Sequence, residues 1–489
     1  MEVKKSLIAV MIGLSLVLGS GITFAGMQIA EVRSSESVDS MDEEAVAVNG
    51  ELEDGLKELE YIEKFSKAFD IILNSYYEEV EGNDLLEGAI SGMLDSLGDP
   101  YSVYMDQETA QEFMESLDSS FEGIGAEVSM SDGRVTIMVP FRDSPAERAG
   151  LRTNDQILKV DGESVEGLAL YDAVLKIRGE KGTTVTLTIE RPGVSEPFDV
   201  DIIRDTIPIE TVYSDIIEEN GQTIGVIEIT SFSQNTAVRF GEELSNLESQ
   251  GIDGLIIDVR DNPGGLLQVV ESIGSMVIPG GEPVLQIEDR AGEKGRRLSS
   301  LDETKPYPIV GLINEGSASA SEILAAALNE AGNYELVGQT TFGKGTVQQT
   351  LDVGDGSEIK LTLFKWLTSA GNFINEEGVA PTIEVEQPEF FYVSPINTDE
   401  DLQLDMNNSH IATAQVILKG LGYDPQRSDG YFSKEMEEAV RQFQADMGIE
   451  VTGVIDSETA DQLQQEVINA IQSREHDNQF KKAVEILTQ

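Results

Sequence analysis

The segment Leu255–Val259, Leu-Ile-Ile-Asp-Val, is apolar at four of its five positions and lies in a region where strand-like and helical runs alternate. A strand that has helices on both faces is almost continuously apolar, whereas a half-exposed strand alternates apolar and polar residues. We therefore predict an α/β core with a largely parallel sheet over residues 206–385. Its predicted helices are Thr236–Leu247, Leu266–Met276 and Ser321–Ala331.

The N-terminus contains a long uncharged run. Residues Ser6–Ala30 carry no charge over 25 positions, and Lys4 and Lys5 precede them. The run is long enough to span a bilayer, and its positive flank predicts a cytoplasmic N-terminus. Alternatively, Thr23-Phe24-Ala25 is a small-residue cleavage site and the run is a secretory signal. Residues 1–30 are thus a membrane anchor or a signal peptide, and both alternatives place the protein on the extracytoplasmic face of a bacterial membrane or outside the cell.

The chain is strongly acidic, with 90 Asp and Glu against 33 Lys and Arg and a formal net charge of -57. The acidic residues are dispersed, which indicates a solvated acidic surface. Nucleic acid is not expected as a partner because phosphate contacts need clustered Lys and Arg. We expect adaptation to a salty medium, in which screening weakens the repulsion between carboxylates. The chain has no cysteine, so an exported fold would depend on packing without disulfides.

The scarcity of histidine limits the chemistry of the core. The chain has two histidines, His410 and His476, and both lie in its C-terminal fifth. A Ser-His-Asp triad is therefore impossible within residues 206–385, and a cysteine nucleophile is impossible anywhere. A catalytic serine needs a base. If the serine-rich segment Asn314–Glu322 is catalytic, its base is expected to be a lysine, and Lys344 lies in a glycine-flanked turn of the same region.

Ser319 follows a predicted strand and precedes a helix that is expected to begin near Ala320. Glu322 completes the Ser-x-x-Glu pattern of a capping box, which is by itself a sufficient structural explanation for the serine. Two features favour catalysis. The serine lies at the carboxyl end of a predicted parallel strand, where open α/β sheets carry their sites. The helix N-terminus also stabilises negative charge that develops on an oxygen.

Lys344 must lose its proton near neutral pH to act as a base, although the ordinary pKa of lysine is about 10.4. Burial against Phe342 and Val347 is expected to lower that pKa. The side-chain amide of Gln348, four residues on, can accept a hydrogen bond from the lysine and hold it in place. The structural alternatives are a solvated turn lysine and an ordinary strand glutamine.

The turn Asp258-Val-Arg-Asp-Asn-Pro-Gly-Gly265 follows the most apolar strand. A strand–glycine–helix turn offers free N–H groups. The N–H of Gly264 or Gly265, paired with that of Ala320, would complete an oxyanion hole, and the alternative is a simple tight turn. A phosphate cradle is disfavoured because the loop has no lysine and no Gly-x4-Gly-Lys-Ser/Thr pattern.

Residues 108–205 form a predicted β-rich module that opens on Gly123-Ile124-Gly125-Ala126. The N–H groups of such a turn can hold a terminal carboxylate, and the strand edge beside it can pair with an extended peptide. Together with Ser144-Pro-Ala-Glu-Arg-Ala-Gly-Leu151, the module resembles a PDZ domain, which implies recognition of a free C-terminus. The helix residues implied to line the groove are Tyr171, Val174 and Arg178.

Two further segments precede these modules. Residues 31–55 are polar and acidic and are predicted to be a linker. Residues 56–107 contain apolar positions at helical spacing, which predicts two or three helices. This helical region is either a cap on the core or a subunit-contact arm that would form a homodimer.

Three segments follow the core. Residues 386–400 are predicted to be a connector. Residues 401–467, with Asp429-Gly-Tyr-Phe432 among their motifs, resemble the three-helix peptidoglycan-binding module. The resemblance implies peptidoglycan as a partner, and the alternative is a helical bundle with another ligand or none. Residues 468–489 are predicted to be a polar helical tail of no evident role.

The motifs of the core together resemble the carboxy-terminal processing (tail-specific) proteases. They are Gly316-Ser-Ala-Ser-Ala-Ser-Glu322, Phe342-Gly-Lys-Gly-Thr-Val-Gln-Gln349, the Asn-Pro-Gly-Gly turn, and Met93-Leu-Asp-Ser-Leu-Gly-Asp-Pro-Tyr-Ser-Val-Tyr-Met105. The resemblance covers residues 56–385 in the domain order of that family. It implies a crotonase-like protease core and a serine endopeptidase without metal or cofactor.

By motif position, the resemblance implies that Ser319 is the nucleophile and that Lys344 is the base, supported by Gln348. The PDZ-like module would capture the C-terminus of a protein substrate, and we expect Arg178 to couple tail binding to activity through a charge pair with the substrate carboxylate or with an acidic residue of the core. Two other functions stay open: a non-catalytic scaffold for protein tails and peptidoglycan, and an amidase or acyl-transferring enzyme that acts on wall peptides.

Overall fold

The computed structural model describes residues 59–131, 133–141, 144–192, 194, 196–396 and 400–489. The predicted membrane span or signal at Ser6–Ala30 and the acidic linker at 31–55 lie outside these ranges. Within the described ranges, no helix combines the length and apolar character that crossing a bilayer requires. The chain divides into two units, one ending at Met93 and one covering residues 94–489.

The N-terminal unit is helical. Helix α1 covers residues 59–75, and α2 covers Gly82–Asp95. These two helices confirm the helical spacing of the apolar residues. α1 leaves many of those apolar side chains exposed, namely Leu59, Tyr61, Ile62, Phe65, Ile71 and Ile72.

The second unit begins with one short strand and one helix, which lead into a β-rich domain. The elements of this part are β1 (Val103–Met105), α3 (Gln107–Leu117), β2 (Ser120–Gly123), β3 (Ala126–Ser131), β4 (Arg134–Pro140), α4 (Pro145–Arg148), β5 (Gln156–Val160), β6 (Glu163–Ser164), α5 (Leu170–Ile177), β7 (Thr184–Glu190), β8 (Phe198–Ile203) and β9 (Asp205–Pro208). β2 pairs with β9, so the chain enters and leaves the domain through one two-stranded sheet.

The sheet of the β-rich domain has the strand order β3-β4-β5-β7-β8, with β3 at one edge. In β7, Thr-Val-Thr-Leu-Thr-Ile-Glu, every second residue is buried. This period of two sends Val185, Leu187 and Ile189 into the domain core and leaves the threonines facing outward. The predicted β-rich module is therefore confirmed.

The α/β core follows the β-rich domain. Its elements are β10 (Val212–Glu219), β11 (Gln222–Ile229), α6 (Thr236–Ser249), β12 (Gly254–Asp258), α7 (Leu267–Val277), β13 (Pro283–Glu288), β14 (Lys294–Leu298), β15 (Ile309–Ile313), α8 (Ala320–Ala326) with a π-helical turn at Ala327–Ala331, β16 (Glu335–Gly338), β17 (Thr346–Asp352), β18 (Glu358–Leu367) and β19 (Ile383–Glu384).

The main sheet of the core has the order β10-β11-β12-β15-β16-β19. β10 and β11 are antiparallel, and the remaining neighbours are parallel. Every residue of β12 and of β15 is buried, as a strand covered on both faces requires. The prediction of a largely parallel α/β core is confirmed.

A second, antiparallel sheet has the order β1-β18-β13-β14, and β17 pairs with β18 on its other side. β13 and β18 lie in the region that was predicted to form one largely parallel sheet, but they belong to this separate antiparallel sheet. The second sheet places β1, which follows the Asp-Pro-Tyr-Ser motif, beside the strands that follow Lys344.

The C-terminal module contains three helices, α9 (Ser409–Gly420), α10 (Lys434–Met447) and α11 (Ser457–Gln472). They pack around fully buried side chains that include Phe432 and Phe443. The predicted boundary at residue 467 falls inside α11, which continues to Gln472.

The last helix, α12 (Asn478–Leu487), packs against the main sheet. Phe480, Ala483 and Leu487 lie on one face of it, at the spacing of an amphipathic helix. They cover a face of the sheet formed by Ile224, Val226, Ile256, Val310, Leu312 and Val337. The segment predicted as a tail of no evident role thus completes the hydrophobic core.

Candidate active site

Three loops meet at the carboxyl ends of three neighbouring strands. They follow β12, β15 and β16, which are adjacent and parallel. The N–H of Ala318 donates to the carbonyl of Asn262 at 3.0 Å, and the N–H of Phe342 donates to the carbonyl of Ser317 at 3.0 Å. The structure therefore brings the serine segment, the glycine turn and the lysine segment together where parallel sheets carry their sites.

Ser319 has a left-handed backbone conformation, with φ 55° and ψ -110°. A non-glycine residue in such a sparsely populated region carries a strain of about 1–3 kcal/mol, and residues of this kind cluster at functional sites. Ser319 is the N-cap of α8, which begins at Ala320 as predicted. The strained turn presents the partly exposed serine at the helix N-terminus.

The three serines of the segment have different environments. Ser317 and Ser321 are fully buried. The Ser317 hydroxyl donates to the carbonyl of Val259 at 2.8 Å, and the Ser321 hydroxyl donates to that of Asn262 at 2.8 Å. Both hydroxyls thus fasten the serine segment to the loop after β12. Of the three, Ser319 is the one that is partly exposed.

The geometry distinguishes the two glycines that were predicted for the oxyanion hole. The N–H of Gly264 donates to Oδ1 of Asn262 at 2.9 Å. Within the described part of the chain, the N–H groups of Gly265 and Ala320 have no acceptor. A Cβ at Gly264 would lie 2.9 Å from the Ser319 Cβ and 3.0 Å from the Ala320 nitrogen. The glycine turn therefore abuts the serine, and the N–H that is available beside that of Ala320 belongs to Gly265.

Glu322 joins the serine segment to the lysine segment. Its side chain is fully buried. Oε2 accepts the N–H of Ser319 at 2.7 Å and the N–H of Lys344 at 2.8 Å. Oε1 accepts the Thr341 hydroxyl and the Gly343 N–H, both at 2.6 Å. Four donors compensate the cost of burying the carboxylate. The predicted capping contact to Ser319 is present, and the three contacts with the lysine segment were not expected.

The backbone of Lys344 is fixed on both sides. Its N–H is held by Glu322, and its carbonyl accepts the indole N–H of Trp366, the single tryptophan of the chain, at 2.7 Å. A Cβ at Gly343 would lie 3.1 Å from the backbone of Glu376, and one at Gly345 would lie 2.9 Å from the backbone of the same segment. These two glycines therefore allow the lysine loop to lie directly against the backbone of residues 375–376.

The side chain of Lys344 is partly buried. Its Nζ lies 4.7 Å from the ring centroid of Tyr101. Burial lowers the pKa of Lys344 below 10.5, and the positive charge of Lys360 acts in the same direction, while Asp99 and Glu322 oppose the shift. The expected direction of the shift is therefore found, with burial as its largest cause.

One predicted source of that burial is wrong. The side chain of Phe342 is 58% exposed, because the backbone of the loop turns toward Glu322 and the aromatic ring points away from the core. Val347 is partly buried and packs against the main core. The aromatic ring that lies on the lysine nitrogen comes from Tyr101, about 240 residues earlier in the chain.

The expected contact of Gln348 with Lys344 is not found among the described residues. The Gln348 amide donates to the hydroxyls of Thr346 and Thr362, each at 3.0 Å. Gln348 lies in β17 directly opposite Thr362 of β18, next to an irregularity in the register. This cross-strand pairing places the amide nitrogen between two threonine hydroxyls.

The predicted peptide-binding turn has the expected shape. Gly123 ends β2, and Ala126 begins β3 at the edge of its sheet. Gly125 has φ +75°, and a Cβ there would lie 2.6 Å from that of Ser144. Within the described residues, the N–H groups of Ile124 and Gly125 have no acceptor. Two free donors therefore lie at the end of an edge strand.

The other predicted groove residues lie on α5 or at its end. Tyr171 and Val174 are residues of α5, and Arg178 is its C-cap. The guanidinium of Arg178 lies 4.9 Å above the ring of Phe121 and forms a 3.4 Å ion pair with Glu115 of α3. The acidic partner of Arg178 in this structure thus lies on α3, ahead of the first strand of the β-rich domain.

Sequence reasoning missed Tyr101, Trp366 and Asn262 as parts of this site. Tyr101 and Asn262 both lie inside motifs that carried the family resemblance, and Trp366 is the single tryptophan of the chain. Their presence within or near these motifs was the signal in the sequence that could have identified them.

The comparisons with known proteins agree with this arrangement. The model of peptidase family S41 matches residues 223–385, and the PDZ domain model matches residues 123–202. The peptidoglycan binding domain model matches residues 407–463. The model of the activating protease CtpB N-terminal domain matches residues 16–109.

Two relatives match this chain over most of its length. The carboxy-terminal processing protease CtpB of Bacillus subtilis (strain 168) is 46% identical over 484 residues, which cover 99% of each chain. The protease CtpA of the same organism is 41% identical over 425 residues, 87% of this chain and 90% of that protein. Among solved structures, a photosystem II D1 C-terminal processing protease matches with a TM-score of 0.41 and 28% identity, covering 68% of this chain and 94% of that chain.

Ser319, Lys344 and the glycine turn all lie within the region that the peptidase model matches. The similarity to CtpB extends over nearly the whole chain. The chain therefore belongs to the carboxy-terminal processing proteases of peptidase family S41, which are serine proteases, and it carries a PDZ domain.

Proposed function

We propose that this protein is an exported serine endopeptidase in which Ser319 is the nucleophile and Lys344 is the general base. The observation that carries the proposal is the buried carboxylate of Glu322, which accepts the backbone N–H groups of both residues. This shared acceptor keeps the two segments in one cluster. The alternative of a non-catalytic scaffold offers no reason for a strained, partly exposed serine beside a lysine whose pKa is lowered.

The reaction is an acyl transfer. Neutral Lys344 takes the hydroxyl proton of Ser319 while the serine oxygen attacks the peptide carbonyl. The N–H groups of Ala320 and Gly265 donate to the resulting oxyanion. The Lys344 ammonium then gives its proton to the leaving amine. Water, deprotonated by Lys344, attacks the acyl ester and releases the second product with regeneration of Ser319.

The lysine side chain must move before this reaction. In the described arrangement Nζ of Lys344 faces the Tyr101 ring, and no hydrogen bond joins it to Ser319 or Gln348 among the described residues. Because the Lys344 backbone is held by Glu322 and Trp366, we expect the side chain to turn toward Ser319 while the backbone stays in place. Gln348 would accept from Lys344 once its amide turns toward the lysine.

The PDZ domain would capture the substrate tail. A terminal carboxylate accepts the N–H groups of Ile124 and Gly125, and the preceding residues extend β3 as an added strand. Arg178 lies near this turn, since a Cβ at Gly123 would lie 3.8 Å from Cγ of Arg178. We propose that the substrate carboxylate competes with Glu115 for Arg178 and thereby couples tail binding to the protease core.

Location and assembly are part of the same proposal. The uncharged run at residues 6–30 exports the protein and either anchors it or is removed. The peptidoglycan binding module holds it at the cell wall. The exposed apolar side chains of α1, among them Tyr61 and Ile62, support a helical arm that pairs with a second copy. Replacing both residues by glutamate should then convert a dimer into a monomer in sedimentation experiments.

Cleavage of an unfolded protein with an apolar C-terminus tests the proposal. The full chain would be assayed in mild detergent and high salt, with the substrate tail either free or amidated. Ser319→Ala and Lys344→Ala should each abolish cleavage without loss of folding, and amidation should slow it. Ser317→Ala and Ser321→Ala are matched controls that should lower thermal stability but retain measurable cleavage.

The other outcomes are equally informative. Cleavage that survives Ser319→Ala would mean that the nucleophile or the chemistry is wrong. A folded wild type that binds tails and cleaves nothing, even after addition of a tail peptide, would favour the scaffold. Cleavage of wall peptides, with no cleavage of the protein substrate, would favour the amidase alternative.

A further inference from the structure

A short segment far from the serine and lysine motifs reaches the active site. Residues 99–102, Asp-Pro-Tyr-Ser, precede β1, which pairs with the N-terminal half of β18. The N–H of Tyr101 donates to Asp99 at 3.1 Å, and the Ser102 hydroxyl donates to Asp99 at 2.5 Å. The same hydroxyl accepts the N–H of Thr362 at 3.0 Å. The turn is therefore hydrogen-bonded to Thr362 of β18, whose hydroxyl also accepts the Gln348 amide.

This fastened turn places the ring of Tyr101 against the lysine. Nζ of Lys344 lies 4.7 Å from the ring centroid, and no other partner of Nζ is found among the described residues. The Tyr101 hydroxyl has no hydrogen bond within the same part of the chain. The contact between the two residues is therefore made by the aromatic face, and the hydroxyl has no evident part in it.

The ring has two opposite effects on the lysine. An aromatic face attracts the ammonium form, which raises the pKa of Lys344. The same ring excludes water from Nζ, which lowers that pKa. The pKa of Lys344 is lowered, and burial is its largest cause. Burial therefore outweighs the charges of Asp99 and Glu322, which act in the opposite direction.

We propose that Tyr101 is a positioning residue for Lys344, which covers Nζ with its ring and keeps water away from it until the side chain turns toward Ser319. The inference rests on the proposed function of Lys344 as the general base. It assigns a role in the reaction to the segment ahead of the PDZ domain.

Four charged side chains lie on the segments that pack around Lys344, and each of them can affect its protonation. Lys360 lies on β18, and Asp99 lies in the same turn as Tyr101. Glu322 lies on α8, and Glu376 follows the second sheet, where its N–H donates to the carbonyl of Gly343 at 2.8 Å. The substitutions below leave all four groups in place, so a change in the pH profile reports on the ring.

The test compares kcat/KM as a function of pH for the full-length wild type, Tyr101→Phe, Tyr101→Leu and Tyr101→Ala. Tyr101→Phe keeps the ring and should leave the profile unchanged. Tyr101→Leu keeps an apolar cover without an aromatic face and should leave the rising limb at the same or a lower pH. Tyr101→Ala admits water and should move that limb to higher pH. A shift of one pH unit lowers activity on this limb about tenfold, and the loss should be recovered at alkaline pH.

Two results would overturn the inference. The first is a rising limb that does not move in Tyr101→Ala, even if kcat/KM falls uniformly at every pH. The second is a pH profile of Tyr101→Phe that matches that of Tyr101→Ala. Thermal melting of each variant checks that it is folded. Ser319→Ala, assayed at the same pH values, separates this inference from the proposed function. If cleavage needs Ser319 but does not respond to Tyr101, only the role of the ring is wrong. If cleavage persists without Ser319, the proposed function itself fails.

Discussion

Oε2 of Glu322 accepts the backbone N–H of Lys344 at 2.8 Å, although Glu322 lies in α8 and Lys344 lies in the loop after β16. The same oxygen accepts the N–H of Ser319 at 2.7 Å. A residue whose local pattern identifies it as a helix cap therefore also fixes the backbone of Lys344, the proposed base, relative to that of Ser319, the proposed nucleophile.

Glu322→Gln tests that relationship. The amide would place its NH₂ group against backbone N–H donors that the carboxylate now satisfies, and buried unsatisfied donors cost about 1–3 kcal/mol each. We expect a loss of stability of this size and a fall in kcat at every pH, measured by chemical denaturation and by steady-state cleavage. Glu330→Gln, in the π-helical turn after α8, is the matched control and should change kcat little. Unchanged kcat in Glu322→Gln would contradict the positioning role.

The pH dependence of cleavage should follow the charges around Lys344. Since the pKa of Lys344 is lowered from 10.5, kcat/KM should rise with pH along a limb whose midpoint lies below that value. Lys360→Gln removes a repulsive charge, so Lys344 holds its proton more tightly and the limb moves to higher pH. Asp99→Asn removes an attractive charge and should move it to lower pH. Shifts in the same direction for both variants would contradict this electrostatic account.

The ion pair of Arg178 with Glu115 should control tail dependence with little effect on stability. Both side chains are more than two-fifths exposed, and exposed pairs contribute about 0.2–1 kcal/mol. Arg178→Ala should weaken binding of a tail peptide, whereas Glu115→Gln should strengthen it by removing the competitor. Peptide titration and the ratio of cleavage rates for free and amidated tails measure these effects. Equal responses from the two variants would show that Glu115 and the substrate carboxylate do not compete.

The last helix should support the active-site loop through Asp477. Arg260, in the turn between β12 and α7, forms ion pairs with Asp258 at 2.6 Å and with Asp477 at 2.9 Å. Burial raises the pKa of Asp477, but the charge of Arg260 and the hydrogen bonds from it outweigh that effect, so the pKa lies below 3.8.

A group with a depressed pKa stabilises the fold above its unfolded pKa, and this stability is lost as the pH falls through the folded value. Asp477→Asn should therefore lower the free energy of unfolding at pH 7 by about 1.5–3 kcal/mol, as expected for a hydrogen bond to a charged group. The difference from wild type should shrink as the pH falls below 4. Asp461→Asn, at an exposed position of α11, should show neither effect. A constant difference at all pH values would contradict the role of the charge.

Much of the fold could be predicted because burial leaves a pattern in the sequence. The strand Gly254–Asp258, predicted at Leu255–Val259, is largely apolar since both of its faces are covered, and β7 alternates because one face is exposed. β14 left no such trace. Its residues, Lys-Gly-Arg-Arg-Leu, are all exposed, so it has no apolar alternation from which a strand could be recognised. The position of α12 on the main sheet was hidden for another reason, since only long-range packing shows where an amphipathic helix lies.

The candidate site could be predicted as far as the motifs and the missing histidines allowed. Ser319 and Lys344 follow from those two observations together. The contacts of Gln348 could not be predicted, because its amide bonds to Thr362 through a cross-strand pairing between β17 and β18. The contact of the Tyr101 ring with Lys344 could not be predicted for the same reason, since it depends on the pairing of β1 with β18.

Covalent labelling tests most directly whether Ser319 is a nucleophile activated by Lys344. The full chain would react with a fluorophosphonate in the presence of a tail peptide, and mass spectrometry of its peptides would locate the adduct. The account predicts one adduct, on Ser319, whose formation accelerates as the pH rises and is lost in Lys344→Ala. An adduct on Ser317 or Ser321, or labelling of Lys344→Ala at the wild-type rate, would contradict it.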